Sequence, residues 1–286
     1  MFLHKTPVPY TEWQYMPNQF LIVATIVGFW LFLGYELTSD FLFKETGGYE
    51  NSYAYDECNV VGINAHGTFL TYKIENNSDT GQPTVQASSE EIIFAIEQAD
   101  AQPNIEGILL DIDSYGGSPV AAEEVANALK KTTKPTVALI RQAGTSAAYW
   151  AATGADQIIT SALSDVGSIG VTFSYVDAAK YNEKEGFTFN QLSTGVYKDY
   201  GNPNKPLTNA ERDLIVRDLE LIKDAFVKTV AENRNIDIAK VEQLADGSSM
   251  LGEAALKEGL IDQIGSYTEA KKYLEDQMGV PVTICW

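Results

Sequence analysis

Three short apolar runs, spaced by helical patterns, constrain the fold of this chain more than anything else in it. They read GILLDI at 107–112, TVALI at 136–140 and QIIT at 157–160. Each is too short for a helix and mostly apolar, without strict alternation, as strands buried on both faces of a parallel sheet are. Between them, residues 120–130 carry apolar side chains at helical spacing, and 146–153 are Ala-rich and helical. A β-α-β-α-β run of this kind predicts a parallel sheet with right-handed crossovers, an α/β fold. Upstream, 58–64 and 68–74 read as strands, 75–86 as a polar loop, and 88–98 as a helix opened by a Ser cap and early acids. Downstream, Thr208 opens a long amphipathic helix over 209–232, and shorter helices follow near 238–244, 253–258 and 268–277. Residues 58–286 suffice for one sizeable α/β core, or two small ones.

The first 57 residues have a different character. No charged residue lies between Trp13 and Tyr35, and 20–35 read FLIVATIVGFWLFLGY. With its aromatic flanks this stretch reaches the ~20 residues that cross a bilayer. No small-x-small cleavage site follows, and the leading segment is long for a signal peptide. The expectation is an uncleaved single-pass anchor at 18–37, after a tail at 1–17 and before a polar linker at 38–57. The chain is placed in the cell membrane, with its large domain outside the cytoplasm.

Composition excludes several functions. The net charge of -19 repels phosphate backbones, so no nucleic-acid partner is expected. Cys58 and Cys285 are the only cysteines, and His4 and His66 the only histidines, too few for a structural zinc site. No metal or other cofactor is expected. The cysteines flank the globular part and can pair outside the cytoplasm; the alternative is one core thiol and one near-terminal thiol.

Three loops carry candidate chemistry. Asp113-Ser114-Tyr115-Gly116-Gly117-Ser118 leaves a strand and enters a helix. Its glycines permit a sharp turn and its free amides suit an oxyanion, although such turns are common without function. Thr145-Ser146-Ala147-Ala148-Tyr149 makes the same kind of exit, and Ser146 reads either as a helix cap or as a nucleophile. Tyr197-Lys198-Asp199 offers a lysine that is either a surface side chain or, if shielded from water, a base. His4 precedes the apolar run, so the base for a serine is His66 or a lysine.

Taken together, these loops resemble the signal peptide peptidase A (protease IV) family of serine peptidases. The family's Asn-Ser-Pro-Gly-Gly-Ser appears as DSYGGS at 113–118, its Ala-Ser-Gly-Gly-Tyr as TSAAY at 145–149, and its Ala-Asp-Lys-Ile as ADQI at 155–158. Gly-Ser-Ile-Gly-Val is unchanged at 167–171, Tyr-Lys-Asp stands at 197–199, and ALKEGLID at 255–262 matches the last motif. Tyr115, Ala147-Ala148 and Gly247-Ser248 depart from the family's Pro, Gly-Gly and Gly-Arg. The resemblance implies a ClpP/crotonase-like parallel sheet with flanking helices and a Ser146–Lys198 catalytic dyad. It further implies an oxyanion site at Gly116, Gly117 and Ala147, peptide substrates such as signal peptides, and a homo-oligomeric ring whose Ser and Lys sometimes come from neighbouring subunits. Two other functions suit the same fold: an enzyme acting on acyl-CoA thioesters, and an inactive scaffold that binds membrane proteins.

Overall fold

The computed structural model describes residues 58–74 and 85–286, all within the compact unit Tyr53–Trp286. The expected anchor at 18–37, with the tail and linker around it, lies outside the described residues. Among the described residues no helix is long and apolar enough to cross a membrane.

The core is a mostly parallel sheet. Strands β1 (Val60–His66), β4 (Gly107–Ser114), β5 (Thr136–Thr145) and β6 (Gln157–Thr160) form its centre, flanked by the short strands β9 (Gln263–Ile264) and β10 (Ile284–Cys285). The order is β10-β1-β4-β5-β6-β9, every neighbour parallel. Strand β7 (Asp165–Gly167) adds to the end of β5, and β8 (Ser249–Leu251) pairs antiparallel with β7. Strands β2 (Thr68–Leu70) and β3 (Gln86–Ser88) form a small separate parallel pair.

Alternation along the central strands separates two cores. Ile108, Leu110 and Ile112 pack on one face with helices α1 (Ser89–Ala101), α2 (Pro119–Lys131) and α3 (Ala147–Ala152). The C-terminal half of helix α5 (Asn209–Arg234) joins them through Phe226, Val227 and Val230. Leu109, Val137, Leu139 and Ile159 face the other way, onto Ala270 and Leu274 of helix α8 (Tyr267–Met278). Helices α4 (Ala179–Lys184), α6 (Ile238–Leu244) and α7 (Gly252–Glu258) complete the order.

The expected parallel α/β alternation is present, with informative differences. The apolar runs understate two central strands. β4 continues through Asp113 and Ser114, and β5 through the polar pair Arg141-Gln142 to Thr145. Register with neighbouring strands carries the backbone on: Ser114 stands opposite Gly144, and Ala143 to Thr145 pair with β7. Each strand thereby delivers its loop directly to one edge of the sheet. The expected strand at 68–74 shrinks to three residues. Cys58 and Cys285 are joined in a disulfide, fastening the chain beside the first strand to the last.

Candidate active site

Ser146 is the hinge between β5 and α3. Its backbone lies at φ 54°, ψ −127°, a region that side-chain-bearing residues rarely occupy. Its hydroxyl makes no capping hydrogen bond to the helix it precedes, so of its two sequence readings the cap is ruled out. Its amide donates to the Gly167 carbonyl at 2.7 Å, tying the turn to the end of β7. The residue is half-buried, while Ala147 to Ala152 behind it are fully buried.

The diglycine loop lies directly against this serine. A Cβ on Gly116 would sit 2.8 Å from Ser146 Cβ, and Gly116 has φ +111°. Gly117 makes a bridge to Phe69 of β2. The Phe69 amide donates to the Gly116 carbonyl at 3.0 Å, and the Ser118 amide donates to the Phe69 carbonyl at 2.8 Å. In a parallel bridge of this pattern the middle residue's own amide points away from the partner strand. The Gly117 N–H is therefore turned out of the bridge. A Cβ there would meet the Phe69 carbonyl oxygen at 2.2 Å, so only glycine fits. Ser118 then caps α2 by accepting from the Ala121 amide.

Gly117, Ser146 and Ala147 line one cleft of about 410 Å³. Its walls include Ser168 and Gly170 from the GSIGV segment, Trp150 of α3, and Ile222 and Phe226 of α5. Trp150 and Phe226 stack with ring centroids 4.7 Å apart and planes 12° off parallel. Ser168 is a second non-glycine residue at positive φ, 53°, and its hydroxyl donates to the Gly247 carbonyl at 2.9 Å. Asp246 stands at the exposed edge of the cleft, its carboxyl held below the usual carboxylate range, chiefly by hydrogen bonds from the Ser248 side chain and amide.

The two candidate bases lie elsewhere. His66, at the end of β1, has Nε2 3.7 Å from Asp111 Oδ2, beyond hydrogen-bond reach; that oxygen accepts from Arg141 at 3.0 Å. His66 borders the hollow on the Tyr115 side of the diglycine loop and is absent from the lining of the Ser146 cleft. Lys198 is exposed, in a turn closed by its own amide on the Gly195 carbonyl, and it too is absent from that lining. The structure thus brings Ser146, Gly116, Gly117 and Ala147 together and leaves Lys198 apart from them in the single chain.

The model of peptidase family S49 matches residues 128–281, from within α2 to beyond α8. The chain belongs to peptidase family S49. By that membership the domain is a serine endopeptidase. A protein of Methanocaldococcus jannaschii, named as a candidate protease, is 31% identical over 72% of this chain and 67% of its own length. An Enterococcus faecium protein, named as a candidate signal peptide peptidase SppA, is 28% identical over 70% of this chain and 60% of its own. The chain thus spans about two thirds or less of these relatives. Among solved structures, a mutant of ClpP1 from Listeria monocytogenes is similar at TM-score 0.46 and 11% identity, over 74% of this chain and 94% of that one.

Several site residues escape reading by sequence alone. Phe69, which holds the diglycine loop, sits in a strand with no motif. Ile222 and Phe226 arrive from a helix more than seventy positions after the serine. Ser168 and Trp150 lie in or beside quoted motifs, and that adjacency was the available signal.

Proposed function

We propose that this S49 peptidase is membrane-tethered, that it cleaves signal peptides or other membrane-proximal peptides outside the cytoplasm, and that it uses Ser146 as nucleophile and Lys198 as base. The observation that carries the reading is the backbone of Ser146. It is held at positive φ, its hydroxyl caps nothing, and it stands beside the outward-turned Gly117 amide at the mouth of a cleft. Strain of this kind persists only where the surrounding structure enforces it, and it clusters at reacting centres.

The chemistry follows from the groups present. Ser146 Oγ attacks the scissile carbonyl while an uncharged lysine takes its proton. The carbonyl oxygen becomes an oxyanion that accepts from the Gly117 and Ala147 amides, with Gly116 giving the close approach. The protonated base returns the proton to the leaving amine, and water clears the acyl-enzyme.

Lys198 enters from a neighbouring copy in this reading. Support comes from the segment that carries it. Val176, Phe187, Leu192 and Val196 are all exposed along it, an apolar load that a second copy would cover. A second copy over this segment would shield the lysine, in keeping with a ring. The Cys58–Cys285 disulfide supports an oxidising, extracytoplasmic compartment.

The test is hydrolysis of a quenched signal-peptide substrate by the full chain in detergent micelles. Ser146→Ala and Lys198→Ala should each abolish turnover while elution volume and circular dichroism stay unchanged. An equal mixture of the two variants, exchanged into common rings, should regain part of it. Full turnover by either single variant refutes the dyad.

A further inference from the structure

We propose that the Ser146 cleft selects a lysine or arginine of the substrate, its aliphatic stem against the apolar walls and its cation at Asp246. The inference rests on the peptidase reading above and names a substrate class for that same site. It starts from the charge of the lining. Among the described residues that line the cleft, Asp246 is the one acidic or basic side chain. Ser248 donates twice to its Oδ1, from the amide at 2.8 Å and from the hydroxyl at 2.6 Å. Those hydrogen bonds, and no lysine or arginine, hold the carboxyl in its charged form. Oδ2 accepts from none of the described residues and remains open to a cationic donor.

An exposed carboxylate is ordinarily just solvated; this one is fixed in place beside the serine. The Gly247 amide donates to the Ile169 carbonyl at 3.1 Å, and the Ser168 amide donates to the Ser248 carbonyl at 3.0 Å. The Ser168 hydroxyl adds a bond to the Gly247 carbonyl at 2.9 Å. Gly167, next to Ser168, takes the Ser146 amide. Hydrogen-bonded backbone thus runs unbroken from Ser146 to the turn that carries Asp246, and the hydroxyl and the carboxylate keep a set spacing. Pro119, Val171, Ile222 and Phe226 supply the apolar walls. Lysine and arginine pair an apolar stem with a charged head that reaches towards water, and this cleft offers apolar walls that end at an exposed anion. Norleucine would fill the walls and leave the anion unmet. Glutamine would bring no charge, and glutamate would be repelled. A peptide lying over the cleft also excludes water from the pair, which strengthens the attraction.

The test uses peptides that end in a fluorogenic aminocoumarin amide. They carry Lys, Arg, norleucine, Gln or Glu at the first, second or third residue before that amide, with alanine elsewhere. kcat/KM is measured for each with the full chain in micelles and with Asp246→Asn and Asp246→Lys. At one of the three positions Lys and Arg should exceed norleucine by about three- to fivefold at low salt, with Glu below norleucine. The ratio of Lys to norleucine should fall to about one in Asp246→Asn, and Glu should overtake Lys in Asp246→Lys. Raising NaCl from about 0.05 to 0.5 M should shrink the ratio in the unmodified chain by screening, which decides the matter if neither variant folds. An Asp246 that only shapes the cleft would slow every peptide alike and leave the ratio unchanged. Norleucine equal to Lys at all three positions, a ratio undiminished in Asp246→Asn, or a ratio indifferent to salt overturns the inference and leaves the peptidase reading standing. Release from none of the peptides, or release that persists in Ser146→Ala, removes the peptidase reading and the inference with it.

Discussion

Ser146 combines a backbone that costs stability with a hydroxyl that caps nothing. A non-glycine residue at φ 54°, ψ −127° carries strain on the order of 1–3 kcal/mol. Ser146→Ala keeps that strain and loses the hydroxyl, whereas Ser146→Gly loses both. Thermal unfolding should therefore find Ser146→Gly more stable than Ser146→Ala by about 1 kcal/mol, after the entropic cost of glycine, with neither hydrolysing peptide. Equal stabilities would mean that the turn is relaxed. Gly116→Ala should act on the same contact from the other side. Its new methyl would press on Ser146 Cβ, 2.8 Å away, at a φ that alanine disfavours. Peptide turnover is expected to fall at least about tenfold, more than stability does. At this scale the sequence leaves Ser146 ambiguous, because a serine between strand and helix is usually a cap. Only the backbone torsion and the missing capping bond separate the alternatives, and neither is written in residue type.

At the scale of elements, helix α5 supplies one wall of the cleft, and its start was legible. Thr208 and Glu211 cap each other's backbone amides in a reciprocal box, and Lys205 adds an ion pair to Glu211 at 2.6 Å. The Lys205 hydrogen bond, with those from the Thr208 amide and hydroxyl, lowers the Glu211 carboxyl to about 2. A carboxyl depressed in the folded state stabilises fully above its unfolded value of about 4.3 and loses that contribution as pH falls towards 2. Hydrogen exchange in the first turns of α5 should therefore be slow at pH 5 and accelerate, beyond the intrinsic pH effect, between about pH 4.5 and 2. Glu211→Gln should exchange fast across that range; an identical profile in the variant would rule out the ion pair as the source. Strand ends were less legible than helix starts. Arg141 and Gln142 look like loop residues, yet they form an irregular step inside β5, whose pairing resumes at Ala143 and Gly144 and sets where Ser146 emerges. Strands β7 to β10, two or three residues each, carry no periodicity and exist only through pairing between distant segments.

For the whole molecule, the disulfide and the exposed apolar segment matter most. Cys58–Cys285 closes a separation of 227 residues. By the chain-entropy account, reduction or Cys58→Ser should lower unfolding free energy by about 2–5 kcal/mol, measured by denaturant titration with and without reductant. The two cysteines were visible as candidates, but their proximity depends on β10 pairing with β1 across the whole chain. The segment around Lys198 makes the other prediction. Leu192 is 96% exposed and Val196 81%. Leu192→Asp with Val196→Asp should lighten the assembly in sedimentation and slow hydrolysis together; an unchanged assembly would place the interface elsewhere. The most direct test of the account is to treat the assembled protein with a serine-acylating fluorophosphonate and map the adduct by mass spectrometry. The account predicts one adduct per chain, on Ser146, formed far more slowly in Lys198→Ala. An adduct on another residue, or an unchanged labelling rate without Lys198, would contradict it.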